Sequence, residues 1–222
     1  MNVRSRFVLL AAAMAVVGTL SCSDSSTAPN ILTIDAGIPP NWFRVGGVVA
    51  SYVVGLDANN AHGGKYALAV GGTDTSVRFF NGVGQNIRAD NYRGKRVRLR
   101  GWVRQVGVVG SDIGLWMRID GPGVTEGFDN FSSRPLTGTA DWHQVEIILD
   151  VPNDAIGIGF GALMSGKGEL LVDDLTWEVI PATGPTTNQL LEFQPSSLDS
   201  ATTANGYIGF PTAPNNLNFE SR

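Results

Sequence analysis

The sequence predicts an all-β protein, a jelly-roll-like antiparallel sandwich spanning residues 31–180. Three observations predict it. Apolar and polar residues alternate with period two in one run after another, clusters of Gly, Asn, Asp and Pro separate the runs, and no stretch carries an amphipathic helix of three turns. Strands fall near 66–70 and 76–80. In the next run Val97, Leu99 and Val103 alternate with Arg96, Arg98, Arg100, Trp102 and Arg104. Leu115, Met117 and Ile119 then alternate with Trp116, Arg118 and Asp120. His143, Val145, Ile147 and Leu149 follow, and Ile156, Ile158, Phe160 and Ala162 alternate with Gly157, Gly159 and Gly161. A last strand covers 170–179, which brings the total to roughly eight or nine, the number a jelly roll uses. From Pro181 the pattern collapses into Thr/Asn/Pro/Ser-rich sequence with isolated Leu191, Phe193, Tyr207 and Phe210, so residues 181–222 read as a flexible, disordered linker.

With 222 residues, 28 of them glycine, the chain has room for one ordinary domain plus tails. A net charge of −4 argues against nucleic acid as a partner. At the N-terminus Arg4 and Arg6 precede an apolar run from Phe7 to Leu20, too short to cross a hydrocarbon core of ~30 Å. Residues 1–21 therefore read as a signal peptide and 22–30 as a linker. Cys22, the single cysteine, follows Thr19-Leu20-Ser21. This resembles a bacterial lipoprotein signal, although its leucine stands one place later than in the commonest form. The resemblance implies lipidation at Cys22 and an exported protein tethered to a membrane of the cell envelope by that anchor alone. One cysteine allows no disulfide within the chain.

No catalytic constellation stands out. The two histidines, His62 in a turn and His143 on the apolar phase of a strand, lack metal-ligand spacing, and His143 reads as a core residue. No G-x-S-x-G and no phosphate-binding glycine loop is present. Asp120, Asp129 and Glu146 are the carboxylates that glycoside hydrolysis would need, but any β-sandwich carries carboxylates at its loops. The sequence therefore predicts a non-catalytic protein.

Two patches are candidates for binding. In GLWMRIDG and FDNFSSRPLTGTADW, Trp116, Arg118 and Asp120 share one strand face, and Asp129, Asn130 and Arg134 follow on a loop or short strand. An aromatic plate beside charged and amide groups suits a carbohydrate, whose C–H face packs on the ring while its hydroxyls take directional bonds. Trp116→Ala is expected to abolish binding and leave the melting temperature nearly unchanged. The same residues also read as a buried polar network that clamps a long loop over Trp116. The second-choice patch is Arg96, Arg98, Arg100 and Trp102, with Arg104. It reads either as a grip for an anionic polysaccharide or as a solvated strand paired with Asp120, Glu146 or Asp150.

The segments PNWF, HGGKYAL, YRGKRVRLRGWVR, GLWMRIDG and IGFGALMSGKGELLVDDLTWEV together resemble a galactose-binding-like β-sandwich module related to carbohydrate-binding modules. Such modules occur beside erythromycin-esterase-type hydrolases and in some AraC-type regulators. The resemblance covers residues 31–180. It implies a structural Ca2+ held by Asp35, main-chain carbonyls at the Gly64-Lys65 turn, and Asp173 with Asp174. It also gives meaning to an echo: TAPNILTID at 27–35 returns as TAPNNLNFE at 212–220. In multi-module relatives such a segment opens the next unit, with Asp35 and Glu220 equivalent. The expectation is a module truncated from a multi-domain hydrolase, with a tail that pairs with the sheet edge of a protein partner, or a frayed remnant, as the alternatives.

Overall fold

The computed structural model describes residues 37–47, 51–75, 79–190, 194–195 and 206–221. The expectations for the signal, the linker, Cys22 and Asp35 lie outside the described residues.

The described chain is a β-sandwich in which two very long strands run through both layers. The strands are β1 (Phe43–Gly46), β2 (Tyr52–Asp57), β3 (Ala67–Thr73), β4 (Asn81–Arg88), β5 (Lys95–Asp120), β6 (Val124–Asp129), β7 (Gly138–Val151), β8 (Gly157–Ile180) and β9 (Gln194–Pro195). A 3-10 turn, Ala89–Asn91, lies between β4 and β5. β5 and β8 pair antiparallel from Arg96↔Ile180 to Asp120↔Gly157. The first half of β5 also pairs with β7, and the second half of β8 with β3, which pairs with β2. That makes the first layer, β2-β3-β8-β5-β7. The other halves of the two strands continue into the second layer, β1-β4-β8-β5-β6. Register shifts between Val106 and Val109 and between Ser111 and Gly114 mark the passage from one layer to the other. Glycines concentrate there: Gly107, Gly114, Gly166 and Gly168 all have positive φ, which costs glycine little. The fold-over is visible in single strands, since Phe160 and Trp177, both of β8, meet at 5.0 Å between ring centroids.

The core lies between the layers and follows the alternation in the sequence. Val97, Leu99 and Val103 from one half of β5 meet Leu115, Met117 and Ile119 from the other, together with Phe160, Ile147 and Leu149. His143 departs from the pattern. It is half-buried, and its Nδ1 sits 2.9 Å from the carbonyl of Asp141 near the start of its strand, because β7 bulges against β5 beyond Val103.

The segment after Pro181 differs most from expectation. Residues 183–190 run along the sandwich edge, with Thr187 N donating to Ile148 O and Gln189 N to Phe128 O. Gln194 and Pro195 pair with β6. Residues 206–221 close the opposite side: Tyr207 and Phe219 are buried, and Phe219 packs 5.1 Å from Trp42. NLNFE is thus bound to its own sandwich rather than free for another sheet. Among the described residues of this segment, Tyr207 and Phe219 lacked a common period because they enter separate sites, Tyr207 over Gly157 and Phe219 beside Trp42; Leu191 and Phe193 lie outside the described residues. We expect Phe219→Ala to cost about 3–5 kcal/mol in denaturant unfolding, the usual loss for emptying a buried aromatic site. Deleting residues 182–222 should destabilise the sandwich further.

Candidate ligand-binding groove

The outer face of the second layer carries a groove of about 450 Å3, within the range of small-ligand sites. Its shape begins with glycine. β4 and β8 place Gly84 opposite Gly161, and β8 places Gly161 opposite Trp116 and Gly159 opposite Arg118. With no side chains on this face, the indole of Trp116 lies across the neighbouring backbone. A Cβ at Gly84 would stand 2.6 Å from Trp116 Cζ2, and one at Gly159 would stand 3.2 Å from Cη2. Trp116 Nε1 donates to Val83 O at 3.1 Å, which fixes the ring. The indole is 8% exposed and forms the groove floor. Next along the strands, Gly157 leaves space for a second ring, that of Tyr207.

Phe43 and Val45 of β1, Phe80, and Phe128 of β6 make the apolar walls, and Leu190 closes one side from the edge segment. Asn86, Arg118 and Asn130 supply the polar groups. Asn86 faces the groove opposite Gly159, and its side-chain amide has no hydrogen-bond partner among the described residues. Arg118 binds Asp120 through Nε at 2.7 Å and Nη2 at 2.9 Å. Asp120 is buried and also accepts from Tyr207 Oη at 2.6 Å. Burial and the charge of Asp120 together push the Tyr207 hydroxyl far up, so it stays protonated and donating.

The six expected site residues therefore divide. Trp116, Arg118 and Asn130 line the groove, and Asp120 stands behind Arg118. Asp129 and Arg134 do not line it: Arg134 forks onto buried Asp129 at 3.0 and 2.7 Å and donates to Glu146 O. Phe131, at φ 63, turns the loop so that Arg134 stacks 4.0 Å over its ring. This pair clamps the loop after β6, and Asn130 is held by Asp112 at 2.9 Å. Sequence reasoning missed Phe43, Phe80, Asn86 and Phe128. The available signal was the glycine alternation of NGVGQNIR, which matches that of β8 across the pair.

The second patch is a row of ion pairs on the first layer. Arg96 forks onto Asp150, whose carboxyl this bond holds low, and Arg98 and Arg100 pair with Glu178 and Glu146. Arg104 reaches Asn60 and Asp141, while Trp102 stacks on His62 at 4.2 Å.

The described residues expected to hold Ca2+ do not fit a calcium ion. The N–H groups of the turn point at carboxylates. His62 N and Gly63 N donate to Asp173 Oδ2 at 2.9 and 3.0 Å, and Asp174 N donates to Asp173 Oδ1. Asp174 instead bonds His62 Nδ1 at 2.8 Å. Lys65 N and Tyr66 N both donate to Oε1 of Glu220, at 2.8 and 2.9 Å. No group of three or more His, Cys, Asp or Glu side chains among the described residues is placed to share a metal. Calcium needs six to eight oxygen ligands, and amide protons repel it.

Fold and groove define a β-sandwich with an aromatic-floored groove on one outer face. No family model matches the chain. It is similar to the uncharacterized HTH-type transcriptional regulator YbfP of Bacillus subtilis, 35% identical over 150 residues, which is 66% of this chain and 50% of that protein. The chain thus spans about half the length of the curated relative it matches. Among solved structures it is similar to the CBM22-1 xylan-binding domain of Paenibacillus barcinonensis Xyn10C, with TM-score 0.45, 17% identity, and 70% of this chain and 98% of that one covered. It is also similar to the Stig cyclase Fisc from Fischerella sp. TAU, with TM-score 0.47, 14% identity, and 72% and 93% covered.

One further acid lies behind the groove. Glu126 of β6 is buried, its Oε2 has no hydrogen-bond partner among the described residues, and its carboxyl is pushed up to about 7 by burial, then by Asp154 and Asp120. A carboxyl raised above its unfolded value stabilises the fold while protonated. That contribution is full below about pH 4.5 and lost as pH rises toward 7. Glu126→Gln, which cannot ionise, should therefore raise the melting temperature by a few °C at pH 8 and leave it nearly unchanged at pH 4.5. Trp116→Ala should cost about 3–5 kcal/mol, because the indole that floors the groove is also packed and hydrogen-bonded. The expected absence of a stability effect at Trp116 is thereby revised.

Proposed function

We propose that the protein is an exported, non-catalytic binding module, tethered to a membrane of the cell envelope through lipidated Cys22, and that its groove binds a carbohydrate. The observation that carries this reading is the pairing of a pinned indole floor with an amide that has no hydrogen-bond partner among the described residues. Trp116 offers a ring face held in place before any ligand arrives, and Asn86 offers two donors and an acceptor beside it. A sugar ring needs both, since its C–H face is apolar and its edge is all hydroxyl. Arg118 adds charge-assisted donors whose direction Asp120 fixes.

Binding without turnover fits the carboxylates. Asp120, Asp129 and Glu146 each hold an arginine, and neither Asp129 nor Glu146 lines the groove. The similarity to half of a transcriptional regulator supports the same reading, because a module shared between a regulator and a chain with an export leader has recognition as its natural common role.

Calorimetric titration of the full chain with xylohexaose, cellohexaose and oligogalacturonate tests the proposal. One class should bind. Asn86→Ala and Phe80→Ala should each weaken that binding at least tenfold without shifting the melting temperature by more than about 2 °C, since Phe80 is 44% exposed and Asn86 has no hydrogen-bond partner to lose among the described residues. Affinity unchanged in both variants would place the ligand elsewhere, and no binding of any class would overturn the carbohydrate reading.

A further inference from the structure

The echo at residues 212–220 is the sequence motif that the groove leaves unexplained, and the structure gives it a seat. The seat is built by β4, the turn before β3, Trp42 and the end of β8. Pro211 O accepts from Arg88 N at 2.8 Å, and Thr212 O from Asn91 Nδ2 at 2.9 Å. Asn215 exchanges two bonds with the Gln85 amide, its N donating and its O accepting, each at 3.0 Å. Asn216 O accepts from Trp42 Nε1 at 3.2 Å, and Leu217 O from Leu175 N at 3.0 Å. The last two side chains lock in: Phe219 is fully buried, and Glu220 takes the amides of Lys65 and Tyr66. Gly64 makes room for it, since a Cβ there would stand 2.5 Å from Glu220 Oε1.

We propose that this seat is a sequence-selective peptide-docking site, filled in cis by residues 211–221, and that it takes the same segment from a second copy of the chain when its own is dislodged. Main-chain carbonyls supply many of the contacts and would hold many sequences. Selectivity comes from the remainder. Asn216 and Phe219 sit at φ 47 and φ 58, in the left-handed region. The N-terminal copy of the motif would place Ile31 and Ile34 there, and β-branched residues tolerate that region worst. It would also offer Asp35 in place of Glu220, one methylene short of the two amides. Three of its positions thus oppose the seat, whereas a second copy's 211–221 matches at every one. In cis the segment enjoys a local concentration in the millimolar range, so an intact chain keeps its own. A chain with a weakened segment is an open acceptor. This inference is independent of the carbohydrate reading.

The test uses full-length chain carrying Phe219→Ala and Glu220→Gln, titrated with fluorescein-labelled synthetic peptides by anisotropy. The 211–221 peptide should bind and raise the variant's melting temperature, and the 27–36 peptide should bind at least tenfold more weakly. Equal binding of the two peptides, or binding of neither to folded variant, would overturn the proposal. Should the double variant not fold, Asn216→Val in the full chain gives a second reading. Hydrogen exchange at the Lys65 and Tyr66 amides, which Glu220 protects, should accelerate at least tenfold, and unchanged protection would refute the selection by backbone conformation.

Discussion

The outer face of the second layer depends on the side chains missing from Gly84, Gly159 and Gly161. A single methyl at Gly84 would collide with the indole of Trp116, so the ring rests against the sheet only because two adjacent strands are bare at matching positions. From that contact the groove follows. The flat indole becomes a floor, the walls rise where β1 and β6 resume large side chains, and polar groups appear where β4 and β5 pass on either side. The same economy holds at Gly157, where the ring of Tyr207 takes the space and its hydroxyl reaches Asp120. A chain of contacts therefore links residues 206–221 to Asp120, Asp120 to Arg118, and Arg118 to the groove.

The C-terminal segment belongs to the fold rather than trailing from it. It fills the end of the core with Phe219, satisfies Gln85 and the Lys65 and Tyr66 amides, and, through Leu190, contributes to the groove wall. Glu220 ties the turn before β3 to the sandwich by accepting from the Lys65 and Tyr66 amides.

Period-two alternation made both halves of β5 and the first half of β8 legible, because each has one face in the core and one outside. The triad Trp116, Arg118 and Asp120 was legible for the same reason. Asp129 and Arg134 misled because their types suit a ligand as well as they suit each other, and only the left-handed turn at Phe131 shows that they pair. Asn86 was silent because β4 is rich in glycine and amide and carries little hydrophobic signal, and Phe80 stands just before that strand. The C-terminal packing was illegible from pattern alone, since Tyr207, Leu217 and Phe219 follow no strand period and meet residues distant in sequence: Gly157 and Asp120, Leu175, and Trp42. Its one sequence signal was the echo, which marks the segment without saying where it binds.

The central claim is that the indole-floored face is the recognition surface. The most direct test is a side-chain amide NMR spectrum of 15N-labelled protein as the best-binding oligosaccharide is added. The account predicts shifts at the Asn86 and Asn130 amides and Trp116 Nε1, with Trp102 and Trp142 unmoved. Shifts confined to Trp102 and Trp142 on the first layer would contradict it.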